Sequence, residues 1–148
     1  MEFRLLHTEV PRLRLDKIEP EEEKEAVEPG MEAGYKLALN VFLDSNRKEI
    51  FGVLFDIELI HHGEFKLKLN YLAWFESPQP VSKEDVRSPF ARINAPAIAF
   101  PYLRSFISLL TLNSGFRPAI LPTVNFVKMF EEFKAREQKS KAAPSEKG

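Results

Sequence analysis

Residues 50–75 read IFGVLFDIELIHHGEFKLKLNYLAWF, and the fold turns on how they are parsed. Phe51, Val53, Phe55, Ile57 and Leu59 fall on one parity while Asp56 and Glu58 fall on the other, the period of a half-buried strand. His61-His62-Gly63-Glu64 interrupts the alternation as a hairpin turn. Phe65, Leu67 and Leu69 then alternate with Lys66, Lys68 and Asn70, and the strand continues through Tyr71, Leu72, Trp74 and Phe75 until Pro78 and Pro80 stop it. On the N-terminal side, Tyr35, Leu37, Leu39, Val41 and Leu43 alternate with Lys36, Asn40 and Asp44, and a turn follows at Asp44-Ser45-Asn46-Arg47. Strands joined by turns this short form an antiparallel meander. A further segment, Phe3 to Ile18, carries its own alternation and joins them.

The period changes after Asn94. Ile98, Tyr102, Phe106, Leu109 and Leu110 recur at helical spacing, Leu103 and Ile107 widen the stripe, and Gly115 stands as a stop. Pro96 and Pro101 complicate the start, because a proline past the first turn removes a hydrogen bond, so regular helix is expected from near Pro101. The body of this helix carries one charge, Arg104, and it is apolar on more than one face. One small sheet covers one face, so a second copy of the chain is the economical cover, with Tyr102, Leu103, Phe106, Ile107 and Leu110 as its interface. Val124 to Phe133 resumes helical spacing. The predicted class is therefore α+β, a four-stranded antiparallel sheet packed against a long helix and a shorter C-terminal one.

Composition sets the outer bounds. The 148 residues suit a single domain, taken as 1–133, and Glu19 to Glu32, with seven carboxylates and one lysine, reads as a solvated acidic loop. Residues 134–148 hold five basic and two acidic side chains among Ala, Ser and Pro, and read as a frayed helix end and flexible basic tail. With 21 basic and 22 acidic residues the net charge is −1, which argues against nucleic acid as a partner. No apolar run approaches a membrane span, the first residues lack a targeting pattern and cysteine is absent, so a cytoplasmic protein is expected. Thirteen Phe against three Tyr and one Trp exceed what so small a core needs, and some of these rings are expected to line an apolar binding groove.

Catalytic constellations are absent from the sequence. His61 and His62 are adjacent and point to opposite faces of a strand, and no spaced Asp, Glu or Cys cluster supports a metal. Gly52 and Gly63 stand alone, so there is no phosphate-cradling loop and no nucleophile elbow. Asp56 and Glu58 share a strand face, which reads as solvated sheet surface. Neither enzymatic activity nor a cofactor is predicted.

The segment from Ile93 to Phe133 resembles the C-terminal half of the SecB family of protein-export chaperones. Its marks are Phe100-Pro101-Tyr102-Leu103-Arg104, then Gly115-Phe116, then Val124-Asn125-Phe126, in order and at matching spacing. Tyr35-Lys36-Leu37-Ala38-Leu39 sits where the family has a similar strand. The resemblance implies a dimer of dimers assembled through the long helix, and a holdase that works without ATP. Such a protein holds unfolded chains in hydrophobic grooves and passes export substrates to the motor SecA. Position by position, it places Phe116, Ile120, Leu121, Val124 and Phe126 beside the groove; Phe51, Phe55 and Trp74 are added on strand parity.

The departures bear on the partner. The family's outer sheet face is acidic where it docks the motor, whereas Arg12, Lys66 and Lys68 fall near those places and Asp16 alone keeps the sign. A basic tail replaces an acidic one, and Arg117 and Thr123 stand where apolar residues or proline are common. Changes of this kind alter partner choice more than fold. Two alternatives stay open: a SecB-like chaperone serving another client, such as an antitoxin, and a carrier of a small apolar ligand.

Overall fold

The computed structural model describes residues 2–19, 34–61 and 64–142. Strands β1 (Arg4–Lys17), β2 (Tyr35–Leu43), β3 (Ile50–His61) and β4 (Phe65–Glu76) form one sheet in the order β1-β4-β3-β2, with every neighbouring pair antiparallel. The meander β2-β3-β4 follows from the alternation, and β1 lies against β4 to complete a Greek key. The acidic loop expected at 19–32 lies, beyond Glu19, outside the described residues, as do His62 and Gly63.

Register puts the predicted parity on one face. Phe51 stands opposite Phe75, Phe55 opposite Tyr71 and Leu59 opposite Leu67, so the apolar residues of β3 and β4 face the same side. Phe51, Val53, Phe55, Ile57, Phe65, Leu67 and Phe75 have no exposed surface. The rings of Phe51 and Phe75 stack at 5.3 Å, and Phe3 meets both edge-on. In β1 the register shifts between Leu5 and His7 and again between Glu9 and Arg12, the second shift flanking Pro11. On the opposite face Gly52 matters, since a Cβ there would sit 2.6 Å from Cζ of Phe42. Its missing side chain admits the Phe42 ring, which meets Trp74 edge-on at 5.5 Å.

A short 3-10 turn (Asp85–Arg87) and a π-helical turn (Phe90–Asn94) lead into α1 (Ala95–Asn113), and α2 (Phe126–Ala142) closes the described chain. Helix α1 begins earlier than the prolines suggested: Pro96 sits in its first turn, and Pro101 lies inside it. Both Pro101 and Ala97, whose carbonyl loses a donor, are on the exposed side, where solvent satisfies the group. The helical stretch Phe90–Asn113 is also long and apolar enough, at mean hydropathy 1.3, to cross a membrane by length and composition, which the sequence reading did not expect. It carries Arg92 and Arg104, however, and its apolar character is divided between buried residues, Ala95, Ala99, Phe100, Leu103 and Ile107, and an exposed face.

Gly115, at φ +91°, ends α1 with two backbone bonds, Phe116 N–H to the Thr111 carbonyl (3.0 Å) and Gly115 N–H to that of Leu112 (3.2 Å). The next segment is pinned back onto the helix. Thr111 Oγ1 accepts from Ala119 N–H at 2.9 Å and donates to the Ile107 carbonyl at 2.8 Å, while Ser108 Oγ donates to the Ala119 carbonyl at 2.7 Å. This anchoring drops Leu121 and Phe126 into the core, with the Phe126 ring against Phe55 and Phe100. Asn125 caps α2 by accepting from Lys128 N–H at 3.0 Å. The helix runs to Ala142, so residues 134–142, read from sequence as the start of a flexible tail, are helical. Residues 143–148 lie outside the described residues.

Candidate functional site

Strand β2 is the terminal strand of the sheet, and its backbone shows which groups it leaves unpaired. The Gly34 carbonyl accepts from Ile60 N–H (2.7 Å) and Asp44 N–H donates to Ile50 (3.1 Å), so even-numbered residues bond to β3. Tyr35, Leu37, Leu39, Val41 and Leu43 therefore turn both their backbone groups to the free edge and their side chains to the helical side. Along this edge runs an open groove of about 610 Å³. Tyr35, Leu37 and Leu39 form one wall, and Val124, Met129 and Phe130 the other. Ala38, on the opposite parity, also contributes, so the groove reaches round the strand edge. Lys128, Glu132 and Arg136 from α2 line it with Arg92.

Arg92 is buried, with 8% of its surface exposed. Its guanidinium lies 3.6 Å over the Phe133 ring, and Nη2 donates to the Leu39 carbonyl at 3.3 Å. Burial, then the neighbouring Arg136 cation, lowers its pKa, against a smaller opposing pull from Glu137. Guanidinium groups stay charged through such shifts.

The groove differs from the one drawn from sequence. Phe51 and Phe55 are fully buried in the core between sheet and helices, and Leu121 and Phe126 are nearly so, at 1% and 6%. Trp74 points to the opposite sheet face, because it stands opposite Gly52 rather than Phe51, and its Nε1 donates to Glu9 Oε1 at 2.6 Å. Phe116 is half-buried on Phe65 at 5.0 Å, and Ile120 is 75% exposed. Of the eight residues expected in the groove, Val124 lines it. Tyr35, Leu37, Leu39, Met129, Phe130 and Arg92 were missed, since period two gives a strand's faces and says nothing of which strand is at the edge.

The expected interface residues of α1 also divide. Leu103 and Ile107 are fully buried within the subunit, Phe106 and Leu110 are half-buried, and Tyr102 is 54% exposed. The helix instead exposes Ile98, Tyr102, Leu109 and Leu112, a stripe at spacings of three, four and seven. On the outer sheet face, Asp16 stands opposite Lys66, with Lys68 and Arg12 on the same face. Lys68 lies 3.8 Å from Glu58 and Asp16 2.8 Å from Arg14, so the charges alternate in sign. His61 is 2.8 Å from the Glu64 carboxylate, and Asp56 and Glu58 border a surface hollow with Arg12, Arg14 and Lys68. Among the described residues no group of three or more His, Cys, Asp or Glu converges as a metal site would.

A family model described as "Preprotein translocase subunit SecB" matches residues 19–137. The chain belongs to the SecB family. It is similar to the SecB protein-export proteins of Afipia carboxidovorans, 33% identical over 63% of this chain and 52% of the relative, and of Bartonella quintana, 32% identical over 74% and 60%. The chain thus spans a little over half the length of these curated relatives. Its fold is that of a SecB-like chaperone of Mycobacterium tuberculosis, solved in complex with a ChAD peptide from the HigA1 antitoxin. The TM-score is 0.60 at 15% identity, covering 82% of this chain and 90% of that one. A protein of unknown function from Streptococcus agalactiae also shares it, with TM-score 0.51 at 16% identity over 83% of this chain and 98% of that chain.

Proposed function

We propose that this chain is an ATP-independent holdase that keeps unfolded or slow-folding polypeptides, including preproteins bound for the translocase, from aggregating. The observation that carries the reading is the open groove of mixed character beside the edge strand β2, with an apolar wall from Leu37, Leu39, Met129 and Phe130. An extended client gains backbone hydrogen bonds from the edge and side-chain burial from the walls. Each large apolar client side chain buried contributes about 1.5–3 kcal/mol, so a few shallow contacts hold a chain without demanding one sequence. The groove is open to solvent rather than enclosed, which suits a polypeptide better than a small apolar ligand held one per subunit. Membership of a family whose relatives are named protein-export proteins supports the same reading.

The remaining roles follow from the other two surfaces. The stripe Ile98, Tyr102, Leu109 and Leu112 is assigned to self-association into a dimer of dimers, since four large apolar residues at about half exposure on one helix face are otherwise left to solvent. The outer sheet face is assigned to partner docking, with SecA as the partner in the cytoplasm. Its mixed charge, with Arg12, Lys66 and Lys68 beside Asp16, makes that docking weaker and differently salt-dependent than an all-acidic face would give. No turnover is involved: release comes from client folding or capture.

The test is to dilute a chemically unfolded, slow-folding protein into the purified chain without ATP and follow light scattering. Suppression that saturates near one assembly per client is the expected result; no suppression at several-fold excess would refute it. A matched assay with a small fluorescent apolar ligand separates the carrier alternative, which predicts ligand binding and no effect on aggregation.

A further inference from the structure

We infer that Arg92 is a carboxylate-reading position in the β2 groove, so that among extended apolar client segments the chain prefers those carrying an internal Asp or Glu. The inference rests on the groove's being the client site and names what that site selects. Arg92 is 8% exposed, yet Nε has no hydrogen-bond partner among the described residues. Its one hydrogen bond there is to a neutral carbonyl, that of Leu39. A guanidinium in this condition carries the desolvation cost of burial without the charged partner that offsets it.

The neighbouring charges do not supply that partner. Glu137 is ion-paired with Arg87 from the segment before α1. Arg136 adds a second cation near Arg92, and Lys128 a third along the groove, against the single acid Glu132. No carboxylate among the described residues forms a salt bridge with Arg92, and beside these charges the groove is lined by apolar residues such as Leu37, Leu39, Met129 and Phe130 and by the neutral polar Thr123 and Asn125. Apolar walls with an excess of cations fit an apolar peptide bearing negative charge.

The position along the strand favours a side chain over a chain terminus as the source of the carboxylate. Leu39, which Arg92 contacts, is the central residue of β2 (Tyr35–Leu43). A peptide strand laid along the whole edge passes Arg92 at its middle, and its ends lie about four residues away on either side, roughly 13 Å at a strand's rise per residue. A carboxylate accepts from two nitrogens of a guanidinium together, and Arg92, which lines the groove, has Nε without a partner while Nη2 is held by the Leu39 carbonyl.

The experiment is fluorescence anisotropy with the full chain and two labelled nine-residue peptides, extended and apolar, C-terminally amidated, and differing only in a central Asp or Asn. Wild type is expected to bind the Asp peptide about tenfold more tightly at low salt, and Arg92→Met to bring the two affinities within about twofold of each other at protein concentrations low enough to keep the variant dispersed. Arg92→Lys, which keeps the charge and loses the fork, should retain part of the preference. It also serves if the Met variant fails to fold by circular dichroism. Equal binding of the two peptides to wild type overturns this inference and leaves the holdase reading intact. An unchanged preference in both variants also overturns it, transferring the selectivity to Lys128 and Arg136. Binding of neither peptide, with aggregation still suppressed, shows that clients bind elsewhere and removes both the groove assignment and this inference. A free-carboxylate Asn peptide that matches the amidated Asp peptide overturns the side-chain source.

Discussion

Removing one hydroxyl tests how the segment after α1 is held. In Thr111→Val the side chain keeps its shape while losing Oγ1, which is fully buried and accepts from Ala119 N–H at 2.9 Å. The Ile107 carbonyl keeps its place in the helix, so its loss of the Thr111 donor matters little. The Ala119 N–H, 5% exposed as a residue, is left with no acceptor, and an orphaned buried donor costs about 1–3 kcal/mol. Ala119 remains tied by its carbonyl to Ser108 at 2.7 Å, so the segment loosens on one side rather than detaching. The expected result is a loss of about 2 kcal/mol in urea unfolding at fixed protein concentration, with the amide of Ala119 exchanging its hydrogen much faster. Thr111→Ser is the control: it retains the hydroxyl and loses one methyl, at about 1 kcal/mol, with Ala119 still protected. Equal exchange at Ala119 in the Val and Ser variants would refute the claim that this bond fixes the segment.

Gly52→Ala is expected to destabilise by about 1–3 kcal/mol, because the new Cβ meets the Phe42 ring at 2.6 Å; pairing it with Phe42→Leu should recover part of the loss in the same unfolding assay. Gly115→Ala meets no atom within 4 Å and is strained through φ +91° alone, so its cost is about 1 kcal/mol, read as a small shift in urea midpoint. Leu37→Asp, on a half-exposed groove wall, should weaken aggregation suppression several-fold while circular dichroism is unchanged; full suppression would move the client site off β2. Ile98→Asp combined with Leu109→Asp should lower the assembly size in multi-angle light scattering, whereas an unaltered mass would free α1 from any role in self-association.

The parts legible in the sequence were those set by local period. Alternation through Phe51, Phe55, Phe65 and Leu69 identified the strands and their buried face, and Gly115 marked the end of α1. Where one strand's parity had to be carried into its neighbour, the reading failed. Trp74 was grouped with Phe51 and Phe55, but opposite partners decide faces, and Trp74 faces Gly52. Some of the aromatic surplus was expected in a groove, and the particular rings chosen, Phe51, Phe55 and Phe126, make ring contacts in the core, such as Phe51 with Phe75 and Phe100 with Phe126. On α1 more than one apolar face was legible, but the interface list mixed them: Leu103 and Ile107 are buried in the subunit while Tyr102 and Leu109 are exposed, a division that depends on where the sheet lies. Arg92 could not be found by pattern at all, because its significance comes from Leu39, fifty-three positions earlier in the chain, and from the Phe133 ring.

An unpaired strand edge is a hazard as well as a binding surface, and β2 shows how both are managed at one place. Its odd-numbered residues, the Leu39 carbonyl bonded to Arg92 excepted, turn backbone groups outward over a nine-residue strand, enough to template pairing between copies of the chain. Antiparallel pairing of two such edges about their common centre would bring the Leu39 positions together, and with them two Arg92 guanidinium groups, each already buried and each beside its own Arg136. Like charges at close range in a partly desolvated site oppose each other strongly, so the symmetric pairing is disfavoured where the backbone alone would favour it. A client strand carries no such cation and meets no such penalty. The same guanidinium therefore separates a foreign extended peptide from a second copy of β2, and Arg92→Met should reveal it by light scattering that grows with concentration beyond that of the wild type. If that variant stays as monodisperse as wild type, the edge is protected by α2 and the shape of the groove instead.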